Sequence, residues 1–454
     1  MNDLQVRIPG DLWRTLRTEL FRAGGHENVV FGFATHARLP HQQVVLLRRL
    51  VLPPGDAFLP AGGHGARWSG RYMFELLEQA SRIECGLFIF HAHPGEAVRM
   101  SGADRRSAYQ LLPKFQAIIP SRPHGSIVVG AGSAAGLVIL PDSDSPGCQF
   151  TLRCFNGMMH TWPVPGGPPH GHEQFSAQPL LLNSATRKVL ARSRIAVVGQ
   201  SGGGSHVVQQ LAFLGIGEII GIDDDKVDLG NRYSGVGFGS KDCASGLLKT
   251  DVLWRTVKAI DPAVRYLKVA ARVPEKQALD ALKCADVIVG CVNNLHARAD
   301  IQEIAQRYVI PYVDIGLTLT SGGTHSTDGG RIRSISGNVF TSIPGGPCLW
   351  CSDFLTEEKL ARETKQRGRP YLENEQNWDA LVLSFNGVLA SQAVNEVLQL
   401  LLGFAGEGSL SPYKKYDGLS GQLQGWQVSR NPRCPSCAAV LAAGDPLWKP
   451  VRNS

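Results

Sequence analysis

The stretch RIAVVGQSGGGSHVVQQLAFLGIGEIIGIDDD, Arg194 to Asp225, sets the architecture expected of this 454-residue chain. An apolar run, Ile195 to Val198, meets a glycine cluster at Gly199, Gly202, Gly203 and Gly204. Apolar residues at Val207, Val208, Leu211 and Leu214 then follow with helical spacing, and a second apolar run, Ile219 to Ile222, ends in three aspartates. Strand, tight turn, helix and strand make a βαβ unit. In such a unit glycines let the backbone approach a phosphate, the helix N-terminus offers it free N–H groups, and an acidic side chain ending the second strand accepts from a ribose hydroxyl. Asp223 stands where that ribose ligand belongs. The glycine turn alone suits NAD(P) as well as ATP, so an NAD(P)-dependent oxidoreductase remains a distant alternative.

The length calls for two domains. Lys and Arg number 46 against 39 Asp and Glu, a formal charge of +7 without a block of basic residues, which points away from nucleic acid as a partner. No apolar run approaches membrane-spanning length, and the N-terminus lacks a signal-peptide layout, so a cytoplasmic protein without membrane association is expected. Of ten cysteines, four form CxxC pairs and the rest are scattered among apolar neighbours, the pattern of a reducing compartment. PVPGGPPHGH, Pro163 to His172, stops both helix and strand, and it sets the expected division: a first domain over 1–162, a linker over 163–173 and a second domain over 174–454.

GIDDDKVDLGN, Gly221 to Asn231, resembles the D-x-D-x-V-x-x-x-N motif of the ThiF, MoeB and ubiquitin-activating superfamily, whose members adenylate the C-terminal glycine of a ubiquitin-like protein. Lys249, thirteen residues before Pro262, matches the family's phosphate-binding lysine. GCVNN, Gly290 to Asn294, matches its D-C-T-D-N segment, and Ser384 to Phe404 matches its last long helix. The resemblance implies a Rossmann-like adenylation domain that binds ATP with Mg2+ through Gly199, Gly202, Gly203, Gly204, Asp223, Asp225, Asn231, Arg232, Lys249 and Asn293. It also implies a ubiquitin-like or sulfur-carrier protein tail as partner, a conjugating or thiol-bearing acceptor, and a homodimer formed by this domain.

Several positions depart from that pattern. Gln174 and Ala177 replace the two arginines of the lead-in, Ser201 replaces a loop glycine, and Asn293 stands where the family has a magnesium-binding aspartate. A neutral amide is a weaker ligand for a hard cation than a carboxylate. Both an active adenylating enzyme and a platform that only docks the modifier therefore remain open. Cys348 and Cys351 (PCLWC) pair with Cys434 and Cys437 (PRCPSC), two CxxC turns that make a closed structural Zn2+ site. No cysteine lies between Cys351 and Cys434, where thioester-forming members carry their nucleophile, so the expected reaction stops at the acyl adenylate.

In the first half, DLWRTLRTELFRA (11–23) has one apolar helical face, NVVFGFATH and QQVVLLRRLVL read as strands, RYMFELLEQASR as a helix and CGLFIFH as a buried strand. His91 and His93, two apart, share one strand face, and Asp104 follows with Ser101 before it. Two imidazoles and one carboxylate leave a zinc position open. The spacing H-x-H-x(7)-S-x(2)-D resembles the JAMM (JAB/MPN) metalloproteases, α/β/α domains that cut after the C-terminal glycine of ubiquitin-like proteins. By that resemblance His91, His93 and Asp104 hold a catalytic Zn2+, Glu27 is the general base and Ser101 stabilises the oxyanion. The combined expectation is a bifunctional protein that first trims and then activates such a tail. The runner-up is a JAMM deconjugating protease whose second domain only binds the modifier.

Overall fold

The computed structural model describes residues 3–22, 28–40, 42–59, 67–93, 95, 97–141, 143–147, 150–155, 158–162, 183–321, 332–366, 382–406 and 411–445. The chain divides into two compact units, one of residues 1–178, 307–309 and 441–448 and one of 179–306, 310–440 and 449–454. The expected linker over 163–173 lies outside the described residues, as do Gln174, Ala177 and Glu27.

The first unit contains β1 (Asp3–Ile8), α1 (Gly10–Leu20), β2 (Val29–Leu39), β3 (Gln42–Val51), β4 (Phe58–Leu59), β5 (Arg67–Trp68) and α2 (Gly70–Arg82). It continues with β6 (Gly86–Ala92), α3 (Gly102–Ile118), β7 (His124–Val129), β8 (Ala134–Ile139), β9 (Thr151–Phe155) and β10 (Met159–Trp162). Eight strands form one mixed sheet in the order β10-β9-β1-β3-β2-β6-β7-β8. Both faces of the sheet are covered, and the alternation of β6 shows how. Phe88 and Phe90 pack with Trp13, Leu16 and Leu20 of α1, while Leu87 and Ile89 pack with Leu76 and Leu77 of α2 and Leu112 and Phe115 of α3. Helix, sheet and helix make an α/β/α sandwich.

The second unit runs α4 (Ser184–Leu190), β11 (Arg194–Val198), α5 (Gly202–Phe213), β12 (Glu218–Ile222), α6 (Ser240–Ser245), α7 (Lys249–Ile260), β13 (Arg265–Val269), α8 (Lys276–Lys283), β14 (Val287–Gly290) and α9 (Leu295–Arg307). It ends with β15 (Tyr312–Ser321), β16 (Ile332–Ser342), α10 (Glu357–Gln366), α11 (Leu383–Leu402), β17 (Tyr413–Asp417) and β18 (Gln422–Trp426). The sheet order is β13-β12-β11-β14-β15-β16-β17-β18, with the first five strands parallel and the last three added antiparallel. Strand order reverses between β11 and β14. In a doubly wound sheet that reversal opens a crevice at the carboxyl ends of the strands, where ligands bind. Here the glycine loop follows β11 and the GCVNN segment follows β14.

No helix among the described residues is long and apolar enough to cross a membrane.

Candidate functional sites

The carboxyl end of β11 is built for close backbone approach. Gly199 has φ +84°, and a Cβ on Gly204 would lie 1.8 Å from the Gly199 carbonyl oxygen. A Cβ on Gly202 would sit 2.9 Å from the Asn386 amide nitrogen of α11. Ser201 occupies the N-cap of α5 without capping it, its hydroxyl lying 3.1 Å from that of Ser234. The first-turn N–H groups of Gly202, Gly203 and Gly204 thus carry no side-chain cap among the described residues, and they face the position a phosphate takes at a helix N-terminus.

Gln200, fully buried, keys the turn into the sheet: its amide donates to the Val197 carbonyl at 2.8 Å and accepts from the Tyr266 hydroxyl at 2.7 Å. Sequence reasoning missed both residues, since neither belongs to a motif; a polar residue between Gly199 and Ser201 was the available signal.

Asp223 Oδ2 accepts from the Gln200 N–H at 2.7 Å and Oδ1 from the Asp225 N–H at 2.8 Å, so the carboxylate ties the end of β12 to the glycine turn. Burial pushes its pKa up, against the opposing pull of Lys249 and these two N–H groups. Lys249, buried at the start of α7, donates to Asp225 Oδ2 at 2.8 Å and lies 3.9 Å from Asp223 Oδ1. Arg272 pairs with Asp224 and Asp225 at 3.0 and 3.3 Å. Asp223, Asp224 and Asp225 bring three carboxylates within 4.8 Å of one another, a donor set suited to a hard cation, with Lys249 and Arg272 balancing their charge.

Asn231 closes the turn after β12: its Oδ1 accepts from the Asp228 N–H at 2.9 Å and its Nδ2 donates to the Lys226 carbonyl at 3.0 Å. Arg232 lies over the Tyr233 ring, 4.2 Å from its centroid. Asn293 is exposed after β14. Beneath it, Arg298 forms a buried ion pair with Asp314 and donates to the Val292 carbonyl at 2.6 Å, bracing the GCVNN turn.

Away from this crevice, Cys348, Cys351, Cys434 and Cys437 converge. Their sulfurs are 3.8 Å (Cys348–Cys351), 3.5 Å (Cys348–Cys434) and 3.5 Å (Cys351–Cys437) apart. Zinc–sulfur bonds of about 2.3 Å at tetrahedral angles put sulfurs about 3.8 Å apart, so the four thiols fit a closed zinc site.

In the first unit, β6 delivers His91 from its last turn of alternation and His93 just past its end, with ring centroids 5.1 Å apart. Asp104, in the first turn of α3, places Oδ1 3.3 Å from His91 Nε2 and Oδ2 3.4 Å from His93 Nε2. Donors around a zinc at about 2.1 Å stand about 3.4 Å apart. His91 Nε2 is buried and has no hydrogen bond of good geometry among the described residues, as suits a nitrogen reserved for a metal. Burial raises the pKa of Asp104, but the adjacent His91 ring and the Ser101 cap outweigh it and hold the carboxyl well below the usual range.

Ser101 is the N-cap of α3. Its hydroxyl accepts from the Asp104 N–H at 3.1 Å, and Asp104 Oδ2 accepts from the Ser101 N–H at 2.7 Å. S-x-x-D is also a capping-box spacing, a second meaning of the motif that sequence reasoning passed over.

Together, the strand order, the switch-point glycine loop and the aspartate-rich end of β12 define the second unit as a Rossmann-like nucleotide-binding domain. Residues 175–436 match the ThiF family, and the chain belongs to that family. Its curated relatives include the SAMP-activating enzyme E1 of Haloferax volcanii, 27% identical over 252 residues covering 55% of this chain and 81% of that protein. Another is the sulfur carrier protein adenylyltransferase of Thermus thermophilus, 25% identical over 250 residues, 55% of this chain and 83% of that protein. Among solved structures, Escherichia coli MccB with ATP aligns at 20% identity and a TM-score of 0.42, over 55% of this chain and 68% of that one.

Proposed function

We propose that the second unit adenylates the C-terminal glycine of a ubiquitin-like or sulfur-carrier protein, and that the first unit is a zinc peptidase that exposes that glycine. The observation that carries this reading is the presence on one chain of an uncapped switch-point helix beside buried Lys249 and of a three-donor metal cluster with a position left open. The names of the two relatives above supply the substrate class.

In the first step, water adds across the C–N bond after the glycine, the hydroxyl going to the glycyl carbon and the proton to the departing amine. A Zn2+ held by His91, His93 and Asp104 supplies Lewis acidity there. Asp104 holds its oxygens toward both imidazoles through the capping box. Glu27, outside the described residues, is the proton carrier in this reading, and the Ser101 O–H, whose oxygen already serves the cap, donates to the developing oxyanion.

In the second step, a glycine carboxylate oxygen attacks the α-phosphorus of ATP, giving the acyl adenylate and releasing pyrophosphate. The N–H groups of Gly202 to Gly204 and Lys249 would hold the phosphates, Asp223 would accept from the ribose, and Asp223 and Asp225 would balance the charge of Mg2+. A partner's thiol or amine then takes the acyl group. The second Zn2+, on the four cysteines, is structural, and the domain pairs into a homodimer. One tail handled twice on one chain gains from local concentration.

Incubation with tailed and trimmed forms of a carrier protein, scoring cleavage and ATP:pyrophosphate exchange separately, tests each half. Asn293 favours a second reading, in which the domain docks the modifier without adenylating it. That reading gives cleavage with no exchange.

A further inference from the structure

Beside the metal cluster lies a cavity of about 170 Å3 that no step above uses. Strand register builds its floor: Val29 of β2 sits opposite His91, and Ile89 of β6 sits opposite Ser126 of β7, all on one face of the sheet. Ala108 and Leu112 of α3, both in the core of that layer, bound it on the helix side. Trp68 covers it, held edge-to-face against Phe31 at 5.5 Å. His91 and Asp104 belong to its wall, so whatever fills it lies against the metal cluster.

A cavity on the order of 150 Å3 lined by aliphatic side chains holds a benzene ring. This one is therefore far larger than glycine requires; Val29, Ile89, Ala108 and Leu112 give it an apolar inner end, while Ser107 and Ser126 add hydroxyls and His91 and Asp104 its polar wall. The glycine on the acyl side of the scissile bond has no side chain to place there, so the occupant comes from the departing side.

Resting on the peptidase reading, we propose that this cavity receives the side chain of the first residue after the scissile glycine, and that it selects a linear tail beginning with a bulky apolar residue such as leucine or phenylalanine. Buried Ile89, Ala108 and Leu112 close its inner end while exposed Ala103 and Ser107 leave its outer side open, so the pocket suits a side chain that enters from outside and terminates within it. A lysine joined through its Nζ would have to continue outward to its own backbone. The site is thus shaped for processing a precursor rather than for releasing a modifier from lysines.

The test uses the full-length zinc-loaded protein and three substrates: a peptide carrying Gly-Gly-Leu-Ala, its Gly-Gly-Gly-Ala counterpart, and a Gly-Gly peptide joined to a lysine Nζ. The leucine peptide should be cut with kcat/KM about tenfold or more above the other two. In parallel, calorimetry on protein stripped of metal should show leucinamide binding and no glycinamide binding. Ala108→Leu, which fills the cavity from the core, and Ser107→Phe, which narrows it from the exposed side of α3, should erase both differences while zinc content stays unchanged. Equal cleavage of the leucine and glycine peptides, or equal cleavage of the lysine-linked one, overturns the pocket assignment and leaves the peptidase standing. No cleavage of any substrate with zinc bound overturns the peptidase reading and this assignment with it.

Discussion

Asp104 faces two ways: its Oδ1 lies 3.3 Å from His91 Nε2, while its Oδ2 accepts the Ser101 N–H at 2.7 Å. One carboxylate therefore starts α3 and reaches both imidazoles. Ser101→Pro removes both the hydroxyl that caps α3 and the N–H that holds Oδ2, and should lower stability by about 1 kcal/mol or more. The same change should weaken zinc binding by roughly tenfold to a hundredfold. Thermal unfolding and competition with a zinc chelator check the two effects; loss of stability with unchanged zinc affinity would mean that the cap does not orient the ligand.

Two zinc ions per chain are expected in the purified protein. His91→Ala should leave one, and Cys348→Ser should leave the other, with Cys348→Ser the more destabilising because a closed thiolate site contributes directly to folding. Elemental analysis beside unfolding curves reads both.

Gly204→Ala should abolish nucleotide binding, since the added methyl would lie 1.8 Å from the Gly199 oxygen and force the turn open. Gly55→Ala, with no atom within 4 Å of the added group, should leave binding unchanged. Titration with a fluorescent ATP analogue separates them.

Lys249→Ala removes a buried cation from between Asp223 and Asp225. Pyrophosphate exchange should fall by about a hundredfold or more, as when a transition-state donor is deleted. Asn293→Asp should raise exchange by restoring a carboxylate to the cation. An unchanged rate in both variants would place the chemistry elsewhere.

His124 is fully buried, takes the Leu87 N–H on Nδ1 at 3.1 Å and has Nε2 3.1 Å from the Ile119 carbonyl. Burial lowers its pKa from 6.5 to about 4. The unfolded chain then binds the extra proton across that window, so this histidine's contribution to stability is complete above 6.5 and is lost as pH falls toward 4. The loss at its limit is on the order of 3 kcal/mol. His124→Gln should flatten the decline of stability between pH 6.5 and 4; an unaltered slope would assign the protons to other groups.

Much of this was legible in the sequence because periodicity and glycine placement act locally. The βαβ unit from Arg194 to Asp225 appears at the expected strands and helix, and the four cysteines meet as their two CxxC turns imply. His91, His93 and Asp104 also come together as the spacing suggested. What escaped was set by tertiary contact. Gln200 matters because Tyr266, 66 residues on, reaches its amide, and Arg298 braces the GCVNN turn because β15 brings Asp314 beneath it. The Asn231 amide closes its own turn, a local hydrogen-bond choice that motif matching does not reveal. The cavity beside Asp104 arises from cross-strand register that sets Val29 opposite His91 and Ile89 opposite Ser126.

Activation of a tailed carrier should depend on its prior trimming. Pyrophosphate exchange measured with a tailed carrier should proceed in the intact protein, vanish in the His91→Ala, His93→Ala double variant, and return in that variant when the carrier is supplied already ending in glycine. Exchange with the tailed carrier that survives loss of both histidines, or none with the trimmed carrier in the intact protein, would contradict it.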